Sequence, residues 1–458
     1  MPKFVYITMD GGHNAALREA ARILHRNHDT EMSLALYSTT GLWDEAKWAR
    51  LERDVNEADF VFGCMIFGEE YVRPMQRILG ETDTPTCVIT SNPAIIYCTH
   101  VGKLNMAKFN KSNDDDEEPG LVKRWMSKLR PKKDGKKEGY RQTALIRNLT
   151  KLMKYVPGQV RDLHTFIAMH DYWLHSSPEN LQRMMALLLA RYVPGYDHLP
   201  AQDAMPYPDA AIYHPDAGDP FADAADYAKW RNKRRQPVEG FNGVVGILIH
   251  RAVILSGNTA HLDALIRNLE AQGLEARTVY SAMLDFRPAM QTFLTADSGL
   301  PPADAVANGM GFPLVGGPAG SRPDQAVEAL SDLDIPYYDM IPLGFQYVED
   351  WAPNEVGLNP MQTALNIALP ELDGVTEPVI YGGPTHSGDG FAALDAESAL
   401  AARRIARRVR LRRKSNAQKK LAVVLFNFPP NLGNAGTAAF LDVFASLHKL
   451  LGELKAEG

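Results

Sequence analysis

Short apolar runs alternating with amphipathic ones constrain this chain more than any other feature. Phe4–Met9, Met32–Tyr37, Phe60–Met65 and Thr86–Ile89 read as brief strands bounded by turn residues. Between the first three lie Asn14–His25 and Asp44–Asn56, whose apolar residues recur at helical spacing, with Asp44 placed to cap the second. Strands apolar on both faces and separated by helices are buried in a parallel sheet covered on both sides. The pattern restarts with a strand at Val244–Ile249, a helix at Thr259–Gln272 and a strand at Glu275–Tyr280. A helix at Asp324–Leu333, a strand at Glu377–Tyr381 and a basic helix at Leu394–Arg413 follow. The expected fold is α/β, with Rossmann-like or flavodoxin-like parallel-sheet layers and helical connectors.

This reading divides the chain into an α/β unit over 1–165, a helical segment and connector over 166–240, a second α/β unit over 241–420, and the start of a further core domain over 421–458. Residues 110–140 interrupt the first unit with an acidic block and then a Lys/Arg/Gly-rich stretch, the composition of an exposed insertion. Leu145–Met153 and Asn180–Tyr192 have helical spacing, and Ser177-Pro178 is a helix start with Ser as cap. Pro194–Pro237 is rich in Pro, Asp and Ala and reads as a connector. Near the end, Leu421–Phe426 reads as a buried strand, and a helix is expected to open at Thr437 after a Pro/Gly/Asn turn.

Several functions are disfavoured. No Walker loop, H-E-x-x-H or G-x-S-x-G motif occurs, so ATP hydrolysis by this chain alone is not expected. A formal charge of −6 gives no bias toward nucleic acid. Cys64, Cys87 and Cys98 form no metal-ligand pair; Cys64 and Cys87 sit in strand-like runs and read as buried free thiols of a cytoplasmic protein. No apolar run has the length of a transmembrane helix, which leaves peripheral contact as the only membrane association expected.

Candidate chemistry lies where strands end, because ligands of open α/β sheets bind beyond the carboxyl ends of strands. His250 and Arg251 close the Val244 strand; Arg251 has the fork geometry to clamp a carboxylate. His386 sits in the glycine-rich loop after Glu377–Tyr381, where a neutral imidazole can accept a proton or bind a metal. Asp10-Gly-Gly-His-Asn14 opens a helix whose first N–H groups could hold an anion. Gly309–Gly320 is a loop whose glycines allow close backbone approach. Arg403, Arg404, Arg407 and Arg408 belong to a basic stretch, Arg403–Lys420, that contains no acid and suits an acidic partner.

Several segments together resemble the large, porphyrin-binding subunits of magnesium chelatases, and more distantly of cobaltochelatases. They are Phe426-Asn-Phe-Pro-Pro-Asn431 with Gly433-Asn-Ala-Gly-Thr437, Val244–Arg251 with Ser256-Gly-Asn258, Ser321–Leu330 and Gly357–Leu365. The N-terminal strand-turn-helix Phe4–Ala21 resembles a domain typical of the magnesium enzymes. The resemblance implies the N-terminal portion of such a subunit, with catalytic residues expected downstream of this stretch. It implies Mg²⁺ and protoporphyrin IX as substrates, ATP used by a partner, ATPase and bridging subunits as partners, and a place in chlorophyll or bacteriochlorophyll synthesis. It adds Asn431, Asn434 and Thr437 to His250, Arg251 and His386 as substrate-binding candidates, with Arg403, Arg404, Arg407 and Arg408 as docking candidates and no resident metal. A non-catalytic tetrapyrrole-binding or regulatory module, or a cobaltochelatase-type subunit, are the alternatives.

Overall fold

The computed structural model describes residues 1–9, 11–107, 159–234, 242–317, 320–388, 390–426, 436, 438 and 440–457. Two parallel sheets with helices on their faces organise the chain, as expected.

The first sheet has the order β2-β1-β3-β4-β5-β6. β1 (Lys3–Thr8), β2 (Ser33–Ser38), β3 (Phe60–Cys64) and β4 (Thr86–Ile89) are parallel; β5 (His100–Val101) and β6 (Leu104–Asn105) close one edge antiparallel. Every β3 and β4 residue is buried, which explains their unbroken apolar sequences. One face is covered by the helices Asn14–His28, Gln159–Leu174 and Pro178–Tyr192. The last starts as expected: the Ser177 side chain accepts from the Asn180 N–H, with Pro178 in the first turn. Glu45–Asn56 and Glu69–Glu81 cover the other face, and the Asp44 carboxylate accepts from the Lys47 N–H.

The second sheet has the order β13-β12-β11-β10-β8-β9-β7. β8 (Val244–His250), β9 (Glu275–Ser281), β10 (Ala305–Asn308), β11 (Tyr337–Pro342) and β12 (Thr376–Pro384) are parallel; β7 (Ala210–Tyr213) and β13 (Phe391–Ala393) are antiparallel edges. In both sheets the first strand of the unit lies between the second and the third. The chain direction therefore reverses beside β1 and beside β8, which creates a crevice at the carboxyl end of each sheet.

Three expectations need correction. The expected connector over 194–237 contains β7 and the helix Ala224–Lys233, whose cap is Asp223. A four-residue edge strand beside prolines carries no detectable periodicity, and β9 supplies its partner. Leu421–Phe426 is not a strand: Leu421 is 68% exposed and Val424 90%, because no strand or apolar layer lies against them among the described residues. The last helix runs Val443–Ala456 under an Asp442 cap and buries no side chain. Thr437, the 110–140 insertion and Leu145–Met153 lie outside the described residues.

Candidate functional site

The carboxyl ends of the two sheets meet. Asn14, at the start of the helix after β1, donates its Nδ2 to the Gly388 carbonyl beyond β12 at 3.0 Å, and Arg18 reaches the same carbonyl at 3.5 Å. Thr40, after β2, donates to the Gly344 carbonyl beyond β11 at 3.3 Å. A Cβ at Gly41 would stand 3.2 Å from the Tyr347 ring, a tight contact, and its φ of +71° favours glycine. His13 shares a 3.0 Å hydrogen bond with the Ser176 hydroxyl, and its ring lies 4.5 Å from that of Trp173. The contacts of Asn14, Arg18, Thr40 and Gly41 join two crevice mouths along one seam.

The surroundings of the seam are apolar and cationic. Leu42 beyond β2, Met65 and Phe67 beyond β3, and Met283 and Leu284 beyond β9 are large apolar side chains left exposed at the carboxyl edges. Met65 holds a left-handed φ of 57° and Thr90, after β4, one of 46°; the Met65 N–H bonds the Thr90 carbonyl at 3.0 Å. Non-glycine residues in that region carry strain, which concentrates at functional sites. Arg18 and Lys47 supply positive charge, with the Lys47 ammonium 4.4 Å from the Trp43 ring centre. Burial lowers the Lys47 pKa.

Two imidazoles flank the seam in neutral form. Burial pushes His13 down to about 4. Burial, then the Arg251 charge, pushes His250 down to about 4. His250 Nδ1 accepts from the Ala252 N–H at 3.3 Å, and its ring also bonds the Ala282 backbone.

Arg251 is fully buried. Its guanidinium donates to the carbonyls of Tyr207, Pro208 and Leu174 at 3.1 Å each, and to Asp209 Oδ1 at 3.3 Å. It thereby ties the end of the Gln159–Leu174 helix and the segment before β7 to the start of the second unit. His386 is exposed, lies against Tyr347 with ring centres 4.5 Å apart, and pairs with Asp350 at 3.0 Å. Arg403, Arg404, Arg407 and Arg408 all face solvent on the helix Asp395–Arg413. Asn431, Asn434 and Thr437 lie outside the described residues. The structure thus brings His250 and His386 to the carboxyl side of one sheet and sets the arginines elsewhere.

The glycine-rich loop after β10 is shaped by its own closure. A Cβ at Gly316 would lie 1.9 Å from the Gly320 carbonyl oxygen, and the Asn308 side chain bonds the Met310 N–H and the Phe312 carbonyl. Beside it, Asp339 on β11 is fully buried, and neither carboxyl oxygen finds a protein partner among the described residues. Burial, helped by the charge of Glu371, pushes it up to about 8. Among the described residues no group of three or more His, Cys, Asp or Glu is arranged to hold a metal ion, and no helix is long and apolar enough to cross a membrane. Cys64 and Cys87 are buried thiols outside any disulfide, as read from the sequence.

Sequence reasoning missed Tyr347, Thr40, Ser176 and Gly388. Tyr347 follows β11, a strand absent from the sequence reading; the apolar run Tyr337–Pro342 is the signal that would have pointed to the position just past its end.

Comparison with known proteins agrees with this architecture. Residues 170–458 match the family model described as CobN/Magnesium Chelatase, and residues 3–167 match a domain of unknown function. Over its whole length the chain is 32% identical to the chloroplastic magnesium-chelatase subunit ChlH of Oryza sativa subsp. indica, covering 33% of that protein. It is also 32% identical to a magnesium-chelatase subunit of Rhodobacter capsulatus, with 99% of this chain and 38% of that one aligned. The chain thus spans about a third of the length of these relatives. A solved structure, the catalytic subunit of cobaltochelatase from Mycobacterium tuberculosis, shares the fold with a TM-score of 0.52 at 19% identity, over all of this chain and 31% of that one. Two switch-point sheets meeting at their carboxyl ends and a family match over most of the length agree: the chain belongs to the CobN/magnesium chelatase family.

Proposed function

We propose that this chain forms part of the porphyrin-binding large subunit of a magnesium chelatase, and that the seam between the two sheets receives protoporphyrin IX. The observation that carries this reading is the meeting of two ligand-binding edges with exposed Met65, Phe67, Met283 and Leu284 and the cations Arg18 and Lys47. A flat apolar macrocycle needs apolar walls, and its two propionates need cations. Insertion puts Mg²⁺ in place of two pyrrolic protons. Because Mg²⁺ sheds water reluctantly, coupling to ATP, used by a partner subunit, fits the chemistry. The identity to magnesium-chelatase subunits along the whole chain supports magnesium rather than cobalt. The exposed Arg403, Arg404, Arg407 and Arg408 fit a surface for the ATPase or bridging partner.

Titration with protoporphyrin IX tests the reading. Trp173 lies against His13 and Trp43 carries Lys47, so bound porphyrin should quench both. Saturable quenching at micromolar ligand, reduced in Trp173→Phe, is expected; linear, unsaturable quenching sinks it.

A further inference from the structure

A second surface lies at the opposite, amino end of the second sheet. There an open groove of about 580 Å³ is walled by Val327 and Leu330 of the helix Pro323–Leu333, by Tyr338 and Asp373, and by Arg408 and Arg412. The helix Asp395–Arg413 runs back along the sheet, so that Arg413 reaches Asp304 before β10 at 2.8–2.9 Å and Arg412 donates to the Asp334 carbonyl at 2.7 Å. Arg403, Arg404, Arg407, Arg408 and Arg410 have no acidic partner among the described residues, although all are exposed. Two polar atoms at the groove are buried and also unpartnered: the Tyr337 hydroxyl, in a residue 5% exposed, and Asp373 Oδ1, in a residue 2% exposed.

We infer that this groove and its arginine ridge dock an acidic segment of a partner protein that also carries apolar side chains, on the side of the sheet away from the seam. The inference deepens the docking role proposed for the arginines. Apolar Val327 and Leu330 beside the exposed Arg408 and Arg412 give a docked segment van der Waals contact and charge together, as interaction hot spots do. Charge selects the partner: the ridge offers a run of unpaired guanidinium groups to carboxylates. Asp334 and Glu377 at the groove repel carboxylates and phosphates alike, so the segment lays its apolar side chains in the groove beside Val327 and Leu330 and its acidic ones along the arginine ridge. Among the described residues no exposed aromatic platform for base stacking lines the groove, Tyr337 and Tyr338 being buried. Docking at the amino end leaves the carboxyl-end seam free, so partner and porphyrin can be held together.

The test uses the full chain and fluorescence anisotropy with three probes: a labelled Glu/Leu peptide, its Lys/Leu counterpart, and a DNA duplex. Saturable binding of the Glu/Leu peptide alone is expected. It should weaken at least about tenfold in Arg408→Glu/Arg412→Glu, by charge reversal at a rim pair. Val327→Trp should also weaken it, since it fills the groove without changing charge; circular dichroism confirms folding of both variants. Equal binding of DNA together with indifference to Val327→Trp would mean a non-specific polyanion surface and overturn the proposal, as would no saturable peptide binding. Porphyrin quenching is scored on the same samples. Its loss with peptide binding intact sinks the seam reading alone, and the reverse outcome sinks this inference alone.

Discussion

Replacing Asp339 by asparagine probes the interior of the second unit through the sign of a pH dependence. Asp339 is fully buried on β11 without a protein partner for either oxygen, and burial raises it to about 8. In the unfolded chain an aspartate titrates near ~3.9. Between these values the folded state holds a proton that the unfolded state has released. Stability from this group is therefore fully present below the unfolded value and is lost as pH rises through 8. At about 1.4 kcal/mol per pH unit, four units set a ceiling of roughly 6 kcal/mol, which water penetration reduces. The asparagine side chain has nearly the same shape and cannot ionise. Hydrogen exchange of β10, β11 and β12, corrected for the intrinsic pH effect, reads the local opening free energy without assuming that the whole chain unfolds in one step. At pH 4, close to the unfolded value, the two proteins should differ by no more than about 1 kcal/mol, the scale of one exchanged hydrogen bond. At pH 9 the variant should be more stable by a few kcal/mol. Parallel curves across that range would refute the reasoning.

Other expectations follow from the same burial. Arg251→Met abandons the carbonyls of Leu174, Tyr207 and Pro208. The loss should be about 3–5 kcal/mol, with faster proteolysis of the segment before β7; a loss under about 1 kcal/mol would show that water replaces the guanidinium readily. Acid should destabilise the fold from pH 6.5 downward, because burial lowers His13 and His250 to about 4 and His261 to about 3. Near pH 5 these three imidazoles gain protons on unfolding and Asp339 loses one, a net uptake of two, or about 2.7 kcal/mol per pH unit. Asp339→Asn should steepen the slope toward three protons, which denaturant titrations at pH 4.5 to 6 can measure; an unchanged slope would contradict the pairing of these groups.

Much of the fold was legible because its signals are local. Phe60–Cys64 and Val244–Ile249 are apolar throughout, and Asp44 and Ser177 cap helices with their own side chains. What escaped depends on partners distant in the chain. β7 is a strand only because β9 lies beside it, while Leu421–Phe426 has strand composition and no strand beside it. The seam was half legible. The turn Asp10–Asn14 stood out as a helix start, but its approach to Gly388 spans more than three hundred residues and has no sequence signature. Arg251 drew notice as a charged group at a strand end, a position equally suited to a ligand clamp and to the anchor for backbone carbonyls that it makes here.

Protoporphyrin IX itself offers the most direct test of where it binds. Under light the bound porphyrin generates singlet oxygen, which oxidises nearby Met, His and Trp side chains, and peptide mass spectrometry locates the damage. If the seam holds the macrocycle, oxidation at sub-saturating porphyrin should concentrate on His13, Trp43, Met65 and Met283 and spare the more exposed Met1, at the amino end of β1. Oxidation spread in proportion to exposure, or concentrated away from both carboxyl edges, would contradict the account.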